Sequence, residues 1–131
     1  MTERMTTDSF KKGLKTRREV MGEPYVERAL DAAGAFDWPM QTMVTEQCWN
    51  ETWNRDGLDR RARSILNLGM IAALNRPKEF QAHVRGAVNN GLTPEEIREI
   101  CLQIATYCGM PAGLDAFRLA KSVLTEMELI E

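Results

Sequence analysis

The stretch "TPEEIREICLQIATYCG", residues 93–109, carries the strongest helix signal in the chain. Thr93 suits the N-cap, Pro94 suits the first helical position, and the side chain of Glu96 can reach back to the N-cap backbone. Apolar residues then recur at helical spacing until Gly109, a residue that favours a helix end. These signals predict a helix that begins with a capping box, and similar start and stop signals recur outward along the chain.

Proline near helix starts and glycine after helix ends divide the rest of the chain into further helical segments. No stretch shows the sustained apolar–polar alternation that would indicate a strand. The sequence therefore predicts an all-α fold, a single-domain bundle of six or seven helices. The predicted helices cover roughly residues 9–21, 24–34, 39–53, 60–74, 77–91, 93–109 and 111–127.

The segment 60–74 differs from its neighbours because it is apolar around most of its circumference. Such a helix is typical of the middle of a core, and we expect it there. Asp59 precedes it as a plausible N-cap. At the end of the following helix, either Asn90 or Gly91 can adopt the left-handed conformation that ends many helices.

The charge of the chain is nearly balanced, with 17 basic and 19 acidic residues among 131. The formal net charge of −2 gives no long-range field that would attract nucleic acid or a membrane surface. The N-terminal stretch lacks the apolar core of a secretion signal, and no apolar run approaches the roughly 20 residues that span a bilayer. We therefore expect a cytoplasmic protein with one domain over residues 1–131 and with neither nucleic acid nor membrane as a partner.

Three cysteines, Cys48, Cys101 and Cys108, stand at spacings that match neither a zinc site nor a redox pair. Cys101 and Cys108 are two helical turns apart, so we expect both on the buried side of one helix. All three are interpreted as buried thiols in a reducing compartment. The single histidine, His83, and one neighbouring carboxylate supply too few ligands for a catalytic zinc, so no metal is expected.

His83 lies four residues after Glu79, which on a helix places the imidazole and the carboxylate on one face, one turn apart. At the surface such a pair contributes only about a few tenths of a kcal/mol to stability. In the alternative interpretation, the carboxylate orients a histidine whose ordinary pKa of about 6.5 suits proton transfer at cellular pH. Spacing alone leaves both interpretations open.

The segment "TEQCWNETWNRDGLDRRAR", residues 45–63, combines Glu46, two tryptophans and four arginines. Trp49 and Trp53 share a helix face, which indicates core or subunit packing, or else the wall of a pocket. The acidic residues interleaved through the segment argue against a nucleic-acid surface. Arginines beside aromatic walls would suit a small dicarboxylate, because a guanidinium binds a carboxylate through two parallel hydrogen bonds.

Several motifs follow one another in "EQCWNETWNRDGLDRRARSILNLGM", "KEFQAHVRGAVNNGLTPEE" and "YCGMPAGLDAFR". They are Glu-x-x-Trp-x-x-x-Trp, an arginine turn with Gly-Leu, an Arg-Ser helix, Glu-x-x-x-His and Tyr-Cys-Gly-x-Pro. In these motifs, over nearly the whole chain, the sequence resembles the carboxymuconolactone decarboxylase family, and the gamma-carboxymuconolactone decarboxylases in particular. The resemblance implies an alkylhydroperoxidase D-like helical fold, a homo-oligomer (trimer or hexamer) and a small-molecule carboxylic acid as substrate.

The same superfamily contains alkylhydroperoxidase-like proteins, which use a Cys-x-x-Cys-x-x-x-His helix and an upstream glutamate as a proton relay. Counted back from His83, the two cysteine positions hold Arg76 and Glu79, and the relay position holds Ser64. Without a thiolate at these positions there is no peroxidase nucleophile. The pattern therefore resembles the decarboxylases. A peroxidase-like protein that uses distant cysteines, or a non-catalytic helical oligomer, is the alternative.

The reaction that the resemblance implies is loss of carbon dioxide from gamma-carboxymuconolactone, which gives the enol-lactone of β-ketoadipate in aromatic-compound catabolism. No cofactor is required, because the electrons left behind delocalise into the lactone. On this hypothesis His83 is the general acid that protonates carbon, and Glu79 or Glu46 orients its imidazole. The residues assigned to the substrate are Arg63 or Arg55 for its carboxylate, with Trp49 and Trp53 excluding water.

Overall fold

In the computed structural model, which describes residues 4–131, the chain consists of helices joined by short connections. Within that range there are seven α-helices and one π-helix, whose backbone hydrogen bonds join residues five apart, and no strand. The prediction of an all-α fold is confirmed. The elements are α1 (Asp8–Met21), α2 (Glu23–Ala32), α3 (Trp38–Met43), the π-helix (Val44–Thr52), α4 (Arg60–Ala73), α5 (Pro77–Asn89), α6 (Pro94–Cys108) and α7 (Met110–Glu126).

The contacts between these helices define two compact units, one ending at Leu58 and the other beginning at Asp59. Unit 1 contains α1, α2, α3 and the π-helix, and unit 2 contains α4 to α7. The single domain expected over residues 1–131 stays a prediction. No helix in the described part of the chain is both long enough and apolar enough to cross a membrane.

Unit 1 is built around the packing of α1 along the π-helix. Gly13 faces the π-helix, and a Cβ atom at this position would lie 2.0 Å from the carbonyl oxygen of Thr45. The two backbones therefore touch, an approach that only glycine allows. A side-chain hydrogen bond from Asn50 to Ser9, at 3.0 Å, extends the contact toward the start of α1.

The π-helix differs from the sequence prediction, which had one α-helix over residues 39–53. The structure has α-helical geometry only as far as Met43. At the end of the π-helix, the N–H of Trp53 donates to the carbonyl of Cys48, five residues earlier, at 3.0 Å. Apolar periodicity cannot separate the two helical forms over so short a segment, and the contact with α1 is a tertiary effect that the local pattern does not contain.

Unit 2 has an apolar core to which all four of its helices contribute. Phe80 and Val84 on α5 are almost fully buried, and so are Ile97 and Cys101 on α6. Burying one large apolar side chain contributes about 1.5–3 kcal/mol to stability, so this cluster is the main support of the unit. The buried core residues are Leu68, Phe80, Val84, Ala87, Leu92, Ile97, Cys101, Ile104, Ala116, Ala120, Val123 and Leu124.

The helix ends of unit 2 confirm the start and stop signals of the sequence. Asp59 accepts a hydrogen bond from the backbone of Ala62 at 2.8 Å and caps α4. Thr93 and Glu96 form the capping box of α6, with distances of 3.0 and 3.1 Å from each backbone N–H to the other side chain. Of the two residues that could take the left-handed conformation after α5, Gly91 does so, with a φ of 95°.

The burial of α4 differs from the expectation that this helix lies in the middle of a core. Only Ser64 and Leu68 are buried, whereas Leu66 is 51% exposed and Met70 47% exposed. The helix turns one face toward its neighbours, so much of its remaining apolar circumference lies at the surface of the single chain.

The cysteines are not all buried, as the sequence analysis expected them to be. Cys101 lies in the core of unit 2, but Cys108 is exposed and Cys48 is half-buried. Cys108 is the last residue of α6, directly before the helix end at Gly109, where the chain leaves the core. Helical spacing therefore does not predict burial at this end of the helix.

Candidate active site

The residues singled out in the sequence form two groups, one in each unit. Those of unit 1 lie on or just after the π-helix, and those of unit 2 lie on α4 and α5. Unit 1 carries Glu46, Trp49, Trp53 and Arg55, and unit 2 carries Arg63, Glu79 and His83.

His83 occupies the middle of α5, whose core-facing residues are Phe80, Val84 and Ala87. The imidazole is half-buried, and its Nδ1 atom is enclosed. Burial lowers the pKa of His83 from its ordinary 6.5, and the charge of Glu79, an exposed residue one turn earlier, raises this pKa by less. At neutral pH the imidazole is therefore mainly uncharged in the free protein.

The neighbouring positions on α4 bear on the chemistry that the chain can support. Arg63 is half-buried near the start of α4, and its Nε atom is enclosed. Ser64 is fully buried, and its hydroxyl oxygen accepts a hydrogen bond from the side chain of Asn90 at 2.8 Å. This position, where the sequence analysis looked for a relay glutamate, therefore holds a neutral hydroxyl bound to an amide, which is a poor proton relay.

Trp49 on the π-helix stacks on Trp53, the residue that follows this helix. The ring centroids of Trp49 and Trp53 are 4.8 Å apart with an angle of 24° between the planes, and both side chains are buried. Stacking of this kind contributes about 0.5–1.5 kcal/mol beyond the burial of area. On the same helix, the carboxylate of Glu46 accepts a hydrogen bond from the hydroxyl of Thr7, the N-cap residue of α1. Arg55 is exposed.

Arg17 on α1 is a charged residue that the sequence analysis missed. It is 7% exposed, and its Nη1 atom donates hydrogen bonds to Gln41 at 2.8 Å and to Thr45 at 3.3 Å. The adjacent arginines in "TRRE" are typical of a solvated helix face, so this run of charges does not indicate that Arg17 is buried. The signal that could have found it is spacing, because Arg17 follows Phe10 by seven residues and Gly13 by four, along the buried face of α1.

Two of the thiols have a pKa that disfavours the thiolate. Burial raises the pKa of Cys101 to about 11. The pKa of Cys48 is also raised, because burial outweighs the opposing effects of the Arg17 charge and of a hydrogen bond with Trp53. Peroxide reduction by a thiol needs the thiolate, so these two sites do not favour that chemistry. Within residues 4–131, no three His, Cys, Asp or Glu side chains come together as metal ligands would.

A cavity of about 420 Å³ opens in unit 2 near the starts of α5 and α7. Its lining includes Arg76, Phe80 and an ion pair between Arg118 and Asp115, whose charged atoms are 2.9 Å apart. His83 is not among the lining residues. The acid predicted from the sequence therefore lies outside this cavity.

Comparison with known proteins identifies one matching family and several similar proteins, two of which are decarboxylases. The carboxymuconolactone decarboxylase family matches residues 39–122. A nitrosuccinic acid decarboxylase of Metarhizium robertsii is 43% identical over 118 residues, which are 90% of this chain and 82% of that protein. A 4-carboxymuconolactone decarboxylase of Acinetobacter baylyi is 36% identical over 118 residues, 90% of this chain and 88% of that protein.

A third relative, an uncharacterised 15.0 kDa protein of Paracoccus denitrificans, is 37% identical over 86 residues, 63% of each chain. The all-α fold and the decarboxylases among these relatives define the class of the protein, which is a carboxy-lyase. The chain belongs to the carboxymuconolactone decarboxylase family.

The backbone contact at Gly13 generates a spectroscopic prediction. A methyl group there cannot lie 2.0 Å from the Thr45 carbonyl oxygen, so the π-helix must move. We expect Gly13→Ala to weaken the stacking of Trp49 on Trp53 and to reduce the exciton signal of the indole pair in far-ultraviolet circular dichroism. Overpacking should also lower the free energy of unfolding by about 1–3 kcal/mol, measured by urea denaturation.

The matched control is Gly113→Ala in unit 2, where a Cβ atom would lie 2.3 Å from the Cβ atom of Ala105. This substitution crowds a helix contact of the same kind and should lower stability without changing the indole signal. An unchanged indole signal in a folded Gly13→Ala protein would contradict the expected movement of the π-helix.

Proposed function

We propose that the protein catalyses the cofactor-independent decarboxylation of gamma-carboxymuconolactone, or of a closely related lactone acid, to the enol-lactone of β-ketoadipate. The observation that carries the proposal is the pair on α5, a half-buried His83 with Glu79 one turn earlier, in a chain of a decarboxylase family. The 36% identity to a 4-carboxymuconolactone decarboxylase supports this substrate. We assign the reaction to the catabolism of aromatic compounds in the cytoplasm.

In this reaction the substrate itself is the electron sink. The departing carboxylate sits on a ring carbon that is conjugated through the double bond to the lactone carbonyl. The electron pair of the breaking C–C bond therefore delocalises into a furan-like dienolate as carbon dioxide leaves, and one proton must then be delivered to carbon. The protein has to bind the carboxylates, stabilise the growing charge on the lactone oxygen and donate that proton.

We assign the proton donation to His83. Because burial lowers its pKa, the free protein holds the imidazole mainly uncharged at pH 7. An anionic substrate bound close to the imidazole raises this pKa, in the same direction as the charge of Glu79. Binding of the substrate and uptake of the proton are then linked, so that the imidazole is charged when the proton is needed.

The remaining roles are assigned by charge. Glu79 orients the imidazole, since its charge is the one that acts on His83, and Glu46 is the alternative. Water has to be kept from the dienolate, which calls for buried aromatic surface, and the carboxylate calls for a guanidinium. The substrate-binding residues in this proposal are Arg63 or Arg55 for the carboxylate, with Trp49 and Trp53 excluding water.

Nitrosuccinic acid is the second candidate substrate. The decarboxylase named for this acid is 43% identical to the chain over 90% of its length. The two reactions share their chemistry, because a nitro group beside the departing carboxylate can accept the electron pair as a nitronate, as the lactone accepts it as a dienolate. One proton donor and one carboxylate-binding arginine would serve either acid.

Turnover of the two acids, and of hydrogen peroxide with a thiol reductant, tests the proposal in parallel assays. We expect decarboxylation of one of the acids and no reduction of peroxide.

His83→Ala should lower kcat by roughly 100- to 10,000-fold with little change in KM, the usual effect of losing a positioned general acid. Glu79→Gln should have a smaller effect, because the donor remains. Parental turnover by a folded His83→Ala protein would contradict the assignment, and turnover of peroxide alone would favour the thiol alternative.

The lowered pKa of His83 predicts how the reaction depends on pH. The free protein holds its imidazole proton only below a pKa that is itself lower than 6.5, so kcat/KM should fall as pH rises through that value. The profile of kcat, which reports the substrate complex, should fall at a higher pH.

The lowered pKa of His83 also predicts how the free energy of unfolding depends on pH. The contribution of His83 to stability is fully present above pH 6.5 and is lost as the pH falls, because the unfolded chain binds the proton more readily. His83→Gln should reduce this loss on the acid side, and an unchanged acid transition would contradict it.

We also infer that the protein is a homo-oligomer, a trimer or hexamer with sites at or near subunit contacts. The support is apolar surface on unit 2, where Leu66 and Met70 are about half exposed. Ile65 on α4 and Tyr107 on α6 also line a shallow groove of about 260 Å³. Apolar patches of this kind are commonly covered by another chain in stable assemblies.

Sedimentation at micromolar concentration tests the assembly. We expect Leu66→Glu to dissociate the oligomer without unfolding the chain, because this side chain lies at the surface of the single chain and a buried carboxylate opposes association. Lys15→Glu, on an exposed position of α1, adds negative charge without removing apolar surface and is the control. A monomeric parent protein, or full assembly of Leu66→Glu, would contradict the inference.

A further inference from the structure

Arg17 in unit 1 is a buried cation without a carboxylate partner in the described part of the chain. It is 7% exposed and takes part in none of the ion pairs formed among residues 4–131. The titratable groups whose charge acts on it, Tyr25 and Cys48, are a phenol and a thiol rather than carboxylates. Arginine is rarely buried unless it is paired, because removing its charge from water is costly.

The guanidinium of Arg17 is held in place but only partly used. Nη1 donates to Gln41 on α3 and to Thr45 on the π-helix. A guanidinium has five N–H donors, so Nη2 and Nε keep three that no acceptor among residues 4–131 takes. Neither atom is among the fully enclosed side-chain atoms without a partner in residues 4–131, so this edge of the guanidinium keeps some contact with solvent.

The open edge has the geometry of a carboxylate receptor. Nε and Nη2 point two parallel N–H groups in one direction, the arrangement that binds both oxygens of a planar carboxylate. Such a ligand would also supply the negative charge that the surroundings of Arg17 lack. Burial lowers the pKa of Arg17, which means that the fold holds this charge against a desolvation cost that a bound anion would offset.

We propose that Arg17 anchors a small carboxylic acid in unit 1, between α1 and the π-helix. Cys48 connects this site to the stacked indoles of Trp49 and Trp53, because its thiol feels the charge of Arg17 and also forms a hydrogen bond with Trp53. The inference rests on the proposed function only in naming the acid as the substrate. Within unit 1, the proposal assigns binding of the carboxylate to Arg17, whereas the sequence analysis named Arg55, which is exposed.

Titration with succinate, inorganic phosphate and chloride tests the site without any need for turnover. The proteins are the parent, Arg17→Gln, Arg17→Lys and Arg18→Gln, and the readouts are melting temperature and indole fluorescence. Arg18 is the matched control, because it is the next residue of the same helix and its Nε donates to Glu27 at 2.9 Å. We expect succinate to stabilise the parent and Arg18→Gln equally, to bind Arg17→Gln at least roughly tenfold more weakly, and to bind Arg17→Lys with intermediate affinity.

A crossover in stability separates an anchor from a merely structural residue. Arg17→Gln removes a buried charge that lacks a counter-charge, so without ligand it should melt at or above the temperature of the parent. With saturating succinate it should melt below the parent, because only the parent gains stability from binding. A structural Arg17 would instead give Arg17→Gln the same deficit at every succinate concentration, and that result would overturn the proposal.

Three other results would also overturn it. The first is parental succinate affinity in folded Arg17→Gln, and the second is no effect of succinate on the parent. The third is binding of phosphate in place of succinate, which would make this an oxyanion site of a different class. In the decarboxylation assay, Arg17→Gln should raise KM far more than it lowers kcat, whereas His83→Ala should lower kcat and leave succinate binding intact. If neither acid is turned over, the proposed function fails while the succinate result still decides the role of Arg17.

Discussion

The backbone contact between Gly13 and Thr45 is the constraint on which the arrangement of unit 1 depends. Because α1 and the π-helix meet without a side chain between them, short polar residues on α1 can reach across. Thr16, for example, donates to Asn54 at 2.7 Å. Arg17, which follows Gly13 by one helical turn, is buried, and its Nη1 atom donates to Thr45. The close approach at Gly13 thus brings polar side chains of α1 within hydrogen-bond distance of the π-helix and of the residue Asn54 that follows it.

In unit 2 the corresponding constraint is the rotation of α5 about its axis. Phe80, Val84 and Ala87 occupy the core, which fixes the direction of every other side chain on the helix. His83 precedes Val84 and so lies on the flank of the buried face, where it is half-buried. This position explains its lowered pKa, since the imidazole has lost part of its hydration while Glu79 remains in solvent. A histidine facing the core would exchange protons poorly, and one on the opposite face would keep an ordinary pKa.

The features predicted correctly from the sequence are those set by residues close together in the chain. The capping box of Thr93 and Glu96 is an example, because cap and partner are three residues apart and tertiary contacts hardly affect them. The features missed depend on what packs against a helix. The π-helix, the exposure of Leu66 on α4 and the burial of Arg17 each follow from a neighbouring element or its absence, which no local pattern records.

The candidate site illustrates the same limit. Its residue types could be chosen from the sequence, because a histidine, carboxylates and arginines are what proton transfer and carboxylate binding require. The charge state of these residues could not be predicted from the sequence. The spacing of Glu79 and His83 places a carboxylate near the imidazole, and its charge raises the pKa of His83, but burial lowers this pKa more strongly. Burial is a property of the packed helix, so the sign of the net shift becomes visible only in the structure.

The proposed assignments have a common electrostatic consequence for the direction of the reaction. In the proposed mechanism the free protein holds an uncharged imidazole at His83, which takes up a proton as the anionic substrate binds. gamma-Carboxymuconolactone carries two carboxylates, and decarboxylation removes one of them as neutral carbon dioxide. After the imidazole has given its proton to carbon, it returns to the uncharged form that its burial favours. The product therefore has one negative charge fewer and meets a histidine without positive charge, so the attraction that favours substrate binding weakens once the chemistry is complete.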